Sequence, residues 1–384
     1  MTARRLPRRV LLALLATLLC ACGGGGGGGY GSSAPPTPAP PTGSPPPPAT
    51  IVDIAQPWAR ATPAEANIDE VMLGRAASDA AAMPRFRSLL VARHGKLVAE
   101  NYFGGANSST LFDLRSVTKS VVSVLTGIAI QNGSLPSIDA TVGTYVNAPY
   151  SLDAGDRAVS VRQLLTMTSR YQWHENNGND YNLWVLSSDH VQFLLDRLQT
   201  DPAGSFNYNS AAVNLLGQVL QDAVAKPLPD FAQEVLFTPI GITSVQWEQL
   251  EPNMVNAGAG IKMTATDLLR FGQLVLQKGR TPSKQVVPES WIDAGTTPQF
   301  NWRDQYGAQR GTTYGYLWWL AEPPATVATF AWGYGGQFAY VVPSLDMVVV
   351  ATTEWQGISA EVDPVTFAGN VLTVIVNDVL PAAH

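Results

Sequence analysis

The sequence predicts an α/β protein of the α+β type: an antiparallel sheet completed by both chain ends, flanked by helices, with a helical lobe inserted between them. Three observations carry this expectation. An alternating hairpin lies early in the chain, four β-rich runs gather after residue 313, and the stretch between them reads as helical periodicity and loops.

The hairpin is Ser88–Arg93 and Leu97–Phe103, joined by His94-Gly95-Lys96. Apolar spacing predicts helices over Val161–Met167, His190–Leu198, Ala211–Val224, Asp230–Leu236 and Thr266–Gln277, the last opened by the capping residues Thr264-Ala265-Thr266-Asp267. The late β-rich runs are Tyr314–Leu320, Thr326–Trp332, Gln337–Val342 and Met347–Thr352, with Pro343-Ser344-Leu345-Asp346 as the turn before the last. Val362–Val379 reads as a closing helix, and there is no internal repeat.

Domain organisation follows from composition. Arg4, Arg5, Arg8 and Arg9 precede the uncharged run Val10–Leu19 and then Cys20-Ala21-Cys22, so residues 1–21 read as a secretion signal, too short to span a bilayer. Leu19-Cys20-Ala21-Cys22 is similar to a bacterial lipobox, which makes Cys22 the expected lipidation site. Gly23 behind it favours the outer membrane by resemblance to lipoprotein sorting rules. Residues 22–52, with Gly23–Gly29 and the proline-rich 35–48, are expected to form a tether, because such composition buries no apolar surface. Residues 53–384 form the globular domain, its helical lobe spanning roughly 130–255. Loss of the four leader arginines takes the formal charge from −6 to about −10 with no basic cluster, which argues against a nucleic-acid partner. With Cys22 acylated no second cysteine remains for an internal disulfide.

The chemistry begins at Ser116-Val117-Thr118-Lys119, at the head of an apolar helical run. Residues three apart share a helix face, so the Lys119 amine reaches the Ser116 hydroxyl. A serine at a helix N-terminus also has free N–H groups beside it for an oxyanion. Lysine is scarce, occurring only at 96, 119, 226, 262, 278 and 284, and Lys119 alone follows a serine by three positions. Tyr208, in Asn207-Tyr208-Asn209-Ser210 before a helix, is placed to relay a proton if a neighbouring ammonium acidifies its phenol. Ala331-Trp332-Gly333-Tyr334-Gly335-Gly336 gives a glycine-rich strand end that a substrate approaches closely, and whose N–H completes an oxyanion hole with that of Ser116.

These three elements, in this order from about Asp53 to the C-terminus, resemble the serine β-lactamase and penicillin-binding-protein-like hydrolases. The similarity is greatest to the branch holding esterases, D-amino-acid peptidases and 6-aminohexanoate-dimer hydrolases. Leu164–Ser169, Asn214–Gly217 and Met263–Leu268 also look like that branch. The resemblance implies Ser116 as acylated nucleophile, Lys119 as its base, Tyr208 as proton donor to the leaving group, and the backbone N–H groups of Ser116 and Tyr334 as oxyanion hole. It implies no cofactor and no metal. The implied partner is a small-molecule ester or amide, the implied location the cell envelope. Ser210, Trp332, Gly333, Glu175 and Tyr181 are pocket candidates by position, as are Asp180 and Trp184, with His174 at the rim.

Two departures matter. Ser210 stands where the family's tyrosine motif carries Asn, so its hydrogen bond to lysine or substrate is expected to be shorter in reach or absent. Ala331 replaces the usual Lys or His, and past Arg310 there is no Lys or Arg, so that strand offers no cation to a substrate carboxylate. Neutral esters and amides therefore rank above β-lactams and D,D-peptides. A fold-retaining scaffold without turnover is the alternative from another class, supported by Ser210 and Ala331. A histidine triad is disfavoured: no G-x-S-x-G occurs, and only His94, His174, His190 and His384 exist.

Overall fold

The computed structural model describes residues 48–175 and 179–384; the signal sequence, Cys22 and most of the expected tether lie outside them. Eight antiparallel strands form the main sheet: β1 (Phe86–Arg93), β2 (Lys96–Tyr102), β3 (Asp304–Tyr306), β4 (Gln309–Tyr314), β5 (Trp319–Ala321), β6 (Ala328–Gly333), β7 (Gln337–Val342) and β8 (Met347–Thr353). Their order is β2-β1-β8-β7-β6-β5-β4-β3. The N-terminal hairpin thus joins the C-terminal strand, with Val91 opposite Val349 on β8 and Ala99 on β2. His94 and Gly95, at φ 52° and 70°, make a two-residue turn whose twist matches the flanking strands.

Both faces of this sheet are covered, which is why its central strands read as nearly unbroken apolar runs. Leu90, Ala92, Val348 and Val350 face one core, while Leu89, Val91, Val349 and Ala351 face the other. Five longer helices serve these faces: α1 (Glu70–Ala82), α2 (Val117–Gln131), α3 (Ser210–Val224), α4 (Ala265–Leu276) and α5 (Pro364–Val374). The α1 residues Leu73, Ala76 and Ala80 and the α5 residues Phe367, Val371 and Leu372 pack on one side. On the other, α2 is buried from Val117 to Ala129, between the sheet and the helices of the middle region. No charge interrupts α2 except Lys119, so one ionisable group enters this core at one point.

The antiparallel sheet built from both ends matches the expectation, with differences in detail. Tyr314–Leu320 is not one strand. The chain turns at Gly315–Trp318, where Gly315 N–H bonds the Trp318 carbonyl at 2.9 Å and Leu317 takes φ 59°. β3, β4 and α1 were unanticipated; α1 is alanine-rich, and its buried stripe of one leucine and two alanines gives a faint periodic signal. A small three-stranded ladder, with Ile261–Met263 between Phe112–Asp113 and Gln246–Trp247, braces the segment that enters α2.

Candidate active site

The turn into α2 sets the position of Ser116. Asp113 Oδ1 accepts the Arg115 N–H at 3.2 Å, Arg115 adopts φ 48°, and the helix then starts at Val117 with Ser116 at its N-cap. Thr118 fastens this turn to the neighbouring ladder: its hydroxyl donates to the Arg115 carbonyl (2.7 Å) and accepts the Ile261 N–H (3.0 Å). A serine at an N-cap ordinarily spends its hydroxyl on a helix N–H. Ser116 makes no such bond, and its Oγ receives Lys119 Nζ at 2.9 Å.

Lys119 is 1% exposed and has two further partners, Ser210 Oγ at 2.8 Å and the Gly258 carbonyl at 2.7 Å. Their chemistry fixes the direction of each bond. A carbonyl only accepts. Ser210 donates its own proton to Glu175 Oε1, so its oxygen accepts from the amine. An uncharged amine has two N–H groups and one lone pair; with both N–H groups taken, the lone pair is left for the Ser116 proton. Burial pulls the Lys119 pKa down to about 7, Glu175 acting against it and Arg115 with it, so much of the amine is uncharged near neutrality.

Glu175 anchors the far end of this chain. Its carboxylate receives the Ser210 N–H (3.0 Å) and the Trp173 indole N–H (2.6 Å) as well as the Ser210 hydroxyl. Ser210 is the first residue of α3, capped by Asn209, whose side chain accepts the Ala212 N–H at 2.9 Å. The serine therefore reaches the lysine in full, contrary to the shorter or absent bond expected of it. The helix start carries the hydroxyl to the amine.

Tyr208 precedes that cap. Lys119 Nζ lies 4.9 Å from the centroid of its ring, and Trp319 stacks nearby at 6.0 Å and 27°. Burial, then the Glu175 charge, push its phenol well above the ordinary tyrosine value, while contact with the Ser116 side chain draws it the other way. The acidified phenol expected from a neighbouring ammonium is not found, because desolvation outweighs every charge around the ring. What stands beside Ser116 is a protonated phenol able to donate.

Gly333 ends β6 against the entry to α2: a Cβ there would meet the Leu114 carbonyl oxygen at 2.1 Å, so only glycine lets the strand lie this close to Ser116. Tyr334 follows, half exposed, its ring 6.1 Å from Trp355. Strand alternation puts Trp332 on the other side. It packs with Tyr306 and Phe338 toward the second core, while Ala331 faces the first, so Trp332 meets the site only through Trp319, 5.1 Å away and stacked on Tyr208. Tyr181 belongs to the cleft: its hydroxyl receives Arg115 Nη2 at 3.0 Å and Asn256 Nδ2 at 3.3 Å. Trp184 is fully buried beneath it, and Asp180 bridges His174 Nδ1 (3.2 Å) and Arg197 (3.0 Å) at the exposed rim. His94 pairs with Asp346 in the hairpin turn and His190 with Glu251, so neither pairs with Ser116.

A serine, a buried amine within hydrogen-bonding distance of it, a phenol and a close strand end are thus gathered at one point. The Beta-lactamase family profile matches residues 81–366. This chain belongs to the Beta-lactamase family. It is a serine hydrolase of the β-lactamase-related kind. Among curated relatives it is 22% identical to the 6-aminohexanoate-dimer hydrolase of Paenarthrobacter ureafaciens over 70% of this chain and 72% of that one. It is 25% identical to Esterase EstB of Burkholderia gladioli, over 73% and 88%. A class C beta lactamase from Rhodobacter sphaeroides shares the fold at TM-score 0.58 and 17% identity, covering 79% of this chain and 99% of that one.

In this Beta-lactamase-family chain two site residues escaped sequence reasoning. Gly258, the third partner of Lys119, lies in Asn256-Ala257-Gly258-Ala259-Gly260, where a Cβ at 258 would meet the Ser210 carbonyl at 2.7 Å. The alternating small residues were the available signal. Arg115, directly before Ser116, was passed over because a flanking side chain has no fixed direction in a sequence pattern.

Proposed function

We propose that this protein cleaves an ester or amide by acyl transfer through Ser116. Uncharged Lys119 takes the Ser116 proton as the hydroxyl oxygen bonds to the carbonyl carbon, and the carbonyl electron pair moves onto oxygen. The N–H groups of Ser116 and Tyr334 receive that oxyanion. Tyr208 gives its proton to the leaving alcohol or amine as the bond to the acyl carbon breaks, and regains one from Lys119. Water then attacks the acyl-enzyme and loses its proton to the same groups, releasing the acid and the serine hydroxyl.

The observation that carries this reading is the placement of Lys119 Nζ within hydrogen-bonding distance of Ser116 Oγ, Ser210 Oγ and the Gly258 carbonyl. In the uncharged amine the last two acceptors take both N–H groups, and the lone pair falls to the Ser116 hydroxyl. The names of the relatives, an esterase and a dimer-amide hydrolase, support an ester or amide over other acyl donors. Ser210, one of the two residues favouring a scaffold, bridges Lys119 and Glu175 and so supports turnover instead. We also place the enzyme in the cell envelope, lipidated at Cys22, on the strength of the leader pattern.

Fluorophosphonate labelling with p-nitrophenyl-ester turnover tests the reading. Wild type should label and turn over, and Ser116→Ala should do neither while keeping its circular dichroism. Tyr208→Phe should label but lose about two to four powers of ten in rate. Undiminished turnover in Ser116→Ala would refute the assignment.

A further inference from the structure

A cation, missing from the C-terminal strands themselves, stands directly before Ser116 in the chain. Arg115 is half-buried next to Ser116, its guanidinium 4.4 Å from the centroid of the Trp355 ring and 5.5 Å from that of Tyr181. Its one side-chain hydrogen bond among the described residues goes to the uncharged Tyr181 hydroxyl. Its Nε is buried without any hydrogen-bond partner. None of the ion pairs among the described residues uses it. The rest of the chain, residues 1–47 and 176–178, contains no Asp or Glu that might supply one.

An arginine held this way is costly unless something anionic completes it. Two aromatic faces fix its plane, which lowers the entropy lost on binding a planar anion, and a guanidinium presents paired N–H groups that match a carboxylate. No nearby acid closes an ion pair with it. Asp113 feels the Arg115 charge ahead of that of Lys262, but the hydrogen bond it accepts is from the Arg115 backbone N–H, and Glu248 accepts from Asn256 Nδ2 at 2.8 Å. The left-handed backbone at Arg115 disfavours most side chains, and it aims this one at the cleft residue Tyr181.

We propose that Arg115 binds a carboxylate of the substrate, so that this enzyme selects esters or amides carrying an anionic group a few bonds from the scissile carbonyl. The proposal rests on the serine-hydrolase reading and narrows its substrate class, reversing the preference for neutral substrates that the cation-free C-terminal strands imply.

Two matched pairs test it. One compares mono-4-nitrophenyl glutarate with its methyl ester, placing the charge on the acyl side. The other compares 4-acetoxybenzoate with its methyl ester, placing it on the leaving side. At low salt wild type should favour the anionic member of at least one pair by about tenfold or more in kcat/KM. That ratio should fall to near unity in Arg115→Gln and be partly restored in Arg115→Lys. Equal rates within both pairs, or an unchanged ratio in Arg115→Gln, would overturn the proposal. If Arg115→Gln does not fold, the wild-type ratios decide alone. Calorimetric titration of wild type with glutarate and with glutaramide separates the two readings. Tighter glutarate binding supports the anion site even where neither turnover nor fluorophosphonate labelling appears, and equal binding there removes it. Turnover and labelling without anionic preference would remove the Arg115 proposal while leaving the hydrolase intact.

Discussion

At the scale of single residues, the decisive quantity is the charge on Lys119. With its pKa drawn to about 7, the rate should climb as pH rises through neutrality and then level off. Two neighbours tune that limb in opposite directions. Glu175 favours the ammonium, so Glu175→Gln should move the limb to lower pH; Arg115 disfavours it, so Arg115→Gln should move it higher. pH–rate profiles of the two variants measure this, and shifts of the same sign would contradict it. The same group has a stability signature. The unfolded lysine keeps its ordinary value of 10.5, so between about 7 and 10.5 the unfolded chain holds a proton that the native one lacks. Stability from this site is therefore lowest below pH 7 and rises across that window. The Tm of wild type relative to Lys119→Met, followed from pH 6 to 10, should increase with pH.

At the scale of elements, the site depends on how closely β6 lies against the entry to α2. In Gly333→Ala the new Cβ would stand 2.1 Å from the Leu114 carbonyl, a backbone atom that cannot rotate away, so the strand must retreat from Ser116. The expected result is a fall in kcat of about a hundredfold or more, from loss of one oxyanion donor, with the far-ultraviolet spectrum unchanged. An unaltered kcat would separate the strand end from the chemistry. The elements that carry motifs were legible in sequence because their signals are local. Ser116 and Lys119 share a helix face, and the Thr264 cap before α4 sits where the pattern puts it. What sequence did not yield is set by contacts distant along the chain. Gly258 meets Lys119 across 139 positions, and Ser210 gains its importance from Glu175, 35 positions earlier. The side that Trp332 takes was not legible because alternation counts from the strand's register, and the register is fixed by pairing with β7.

At the scale of the whole molecule, the two chain ends hold each other in place, and this defines where the folded domain begins. Thr50 donates its N–H (3.2 Å) and hydroxyl (2.6 Å) to Asp346, in the turn before β8. Val52 N–H bonds Gln277 at the end of α4 (3.1 Å), and Arg270 of α4 donates to the Ile54 carbonyl. Ala59 and Ala61 then pair with Leu97 of β2, at 2.8 and 3.2 Å. This segment ties the hairpin edge, the last strand and α4 into one unit. The first of these bonds is at Thr50, so removing residues 1–47 should leave Tm and ester turnover unchanged. Removing residues 1–61 takes away all of them and leaves the Asp346 carboxylate, which is nearly buried, without its Thr50 donors. Hydrogen bonds to a charged group contribute about 1.5–3 kcal/mol each, so that loss should lower Tm by several degrees. Turnover should fall with it at elevated temperature, because the turn that loosens leads into β8, whose neighbour β7 pairs with β6 at the site. Differential scanning fluorimetry on the two truncations decides the matter. Equal Tm values would mean that residues 48–61 lie on the domain without holding it together.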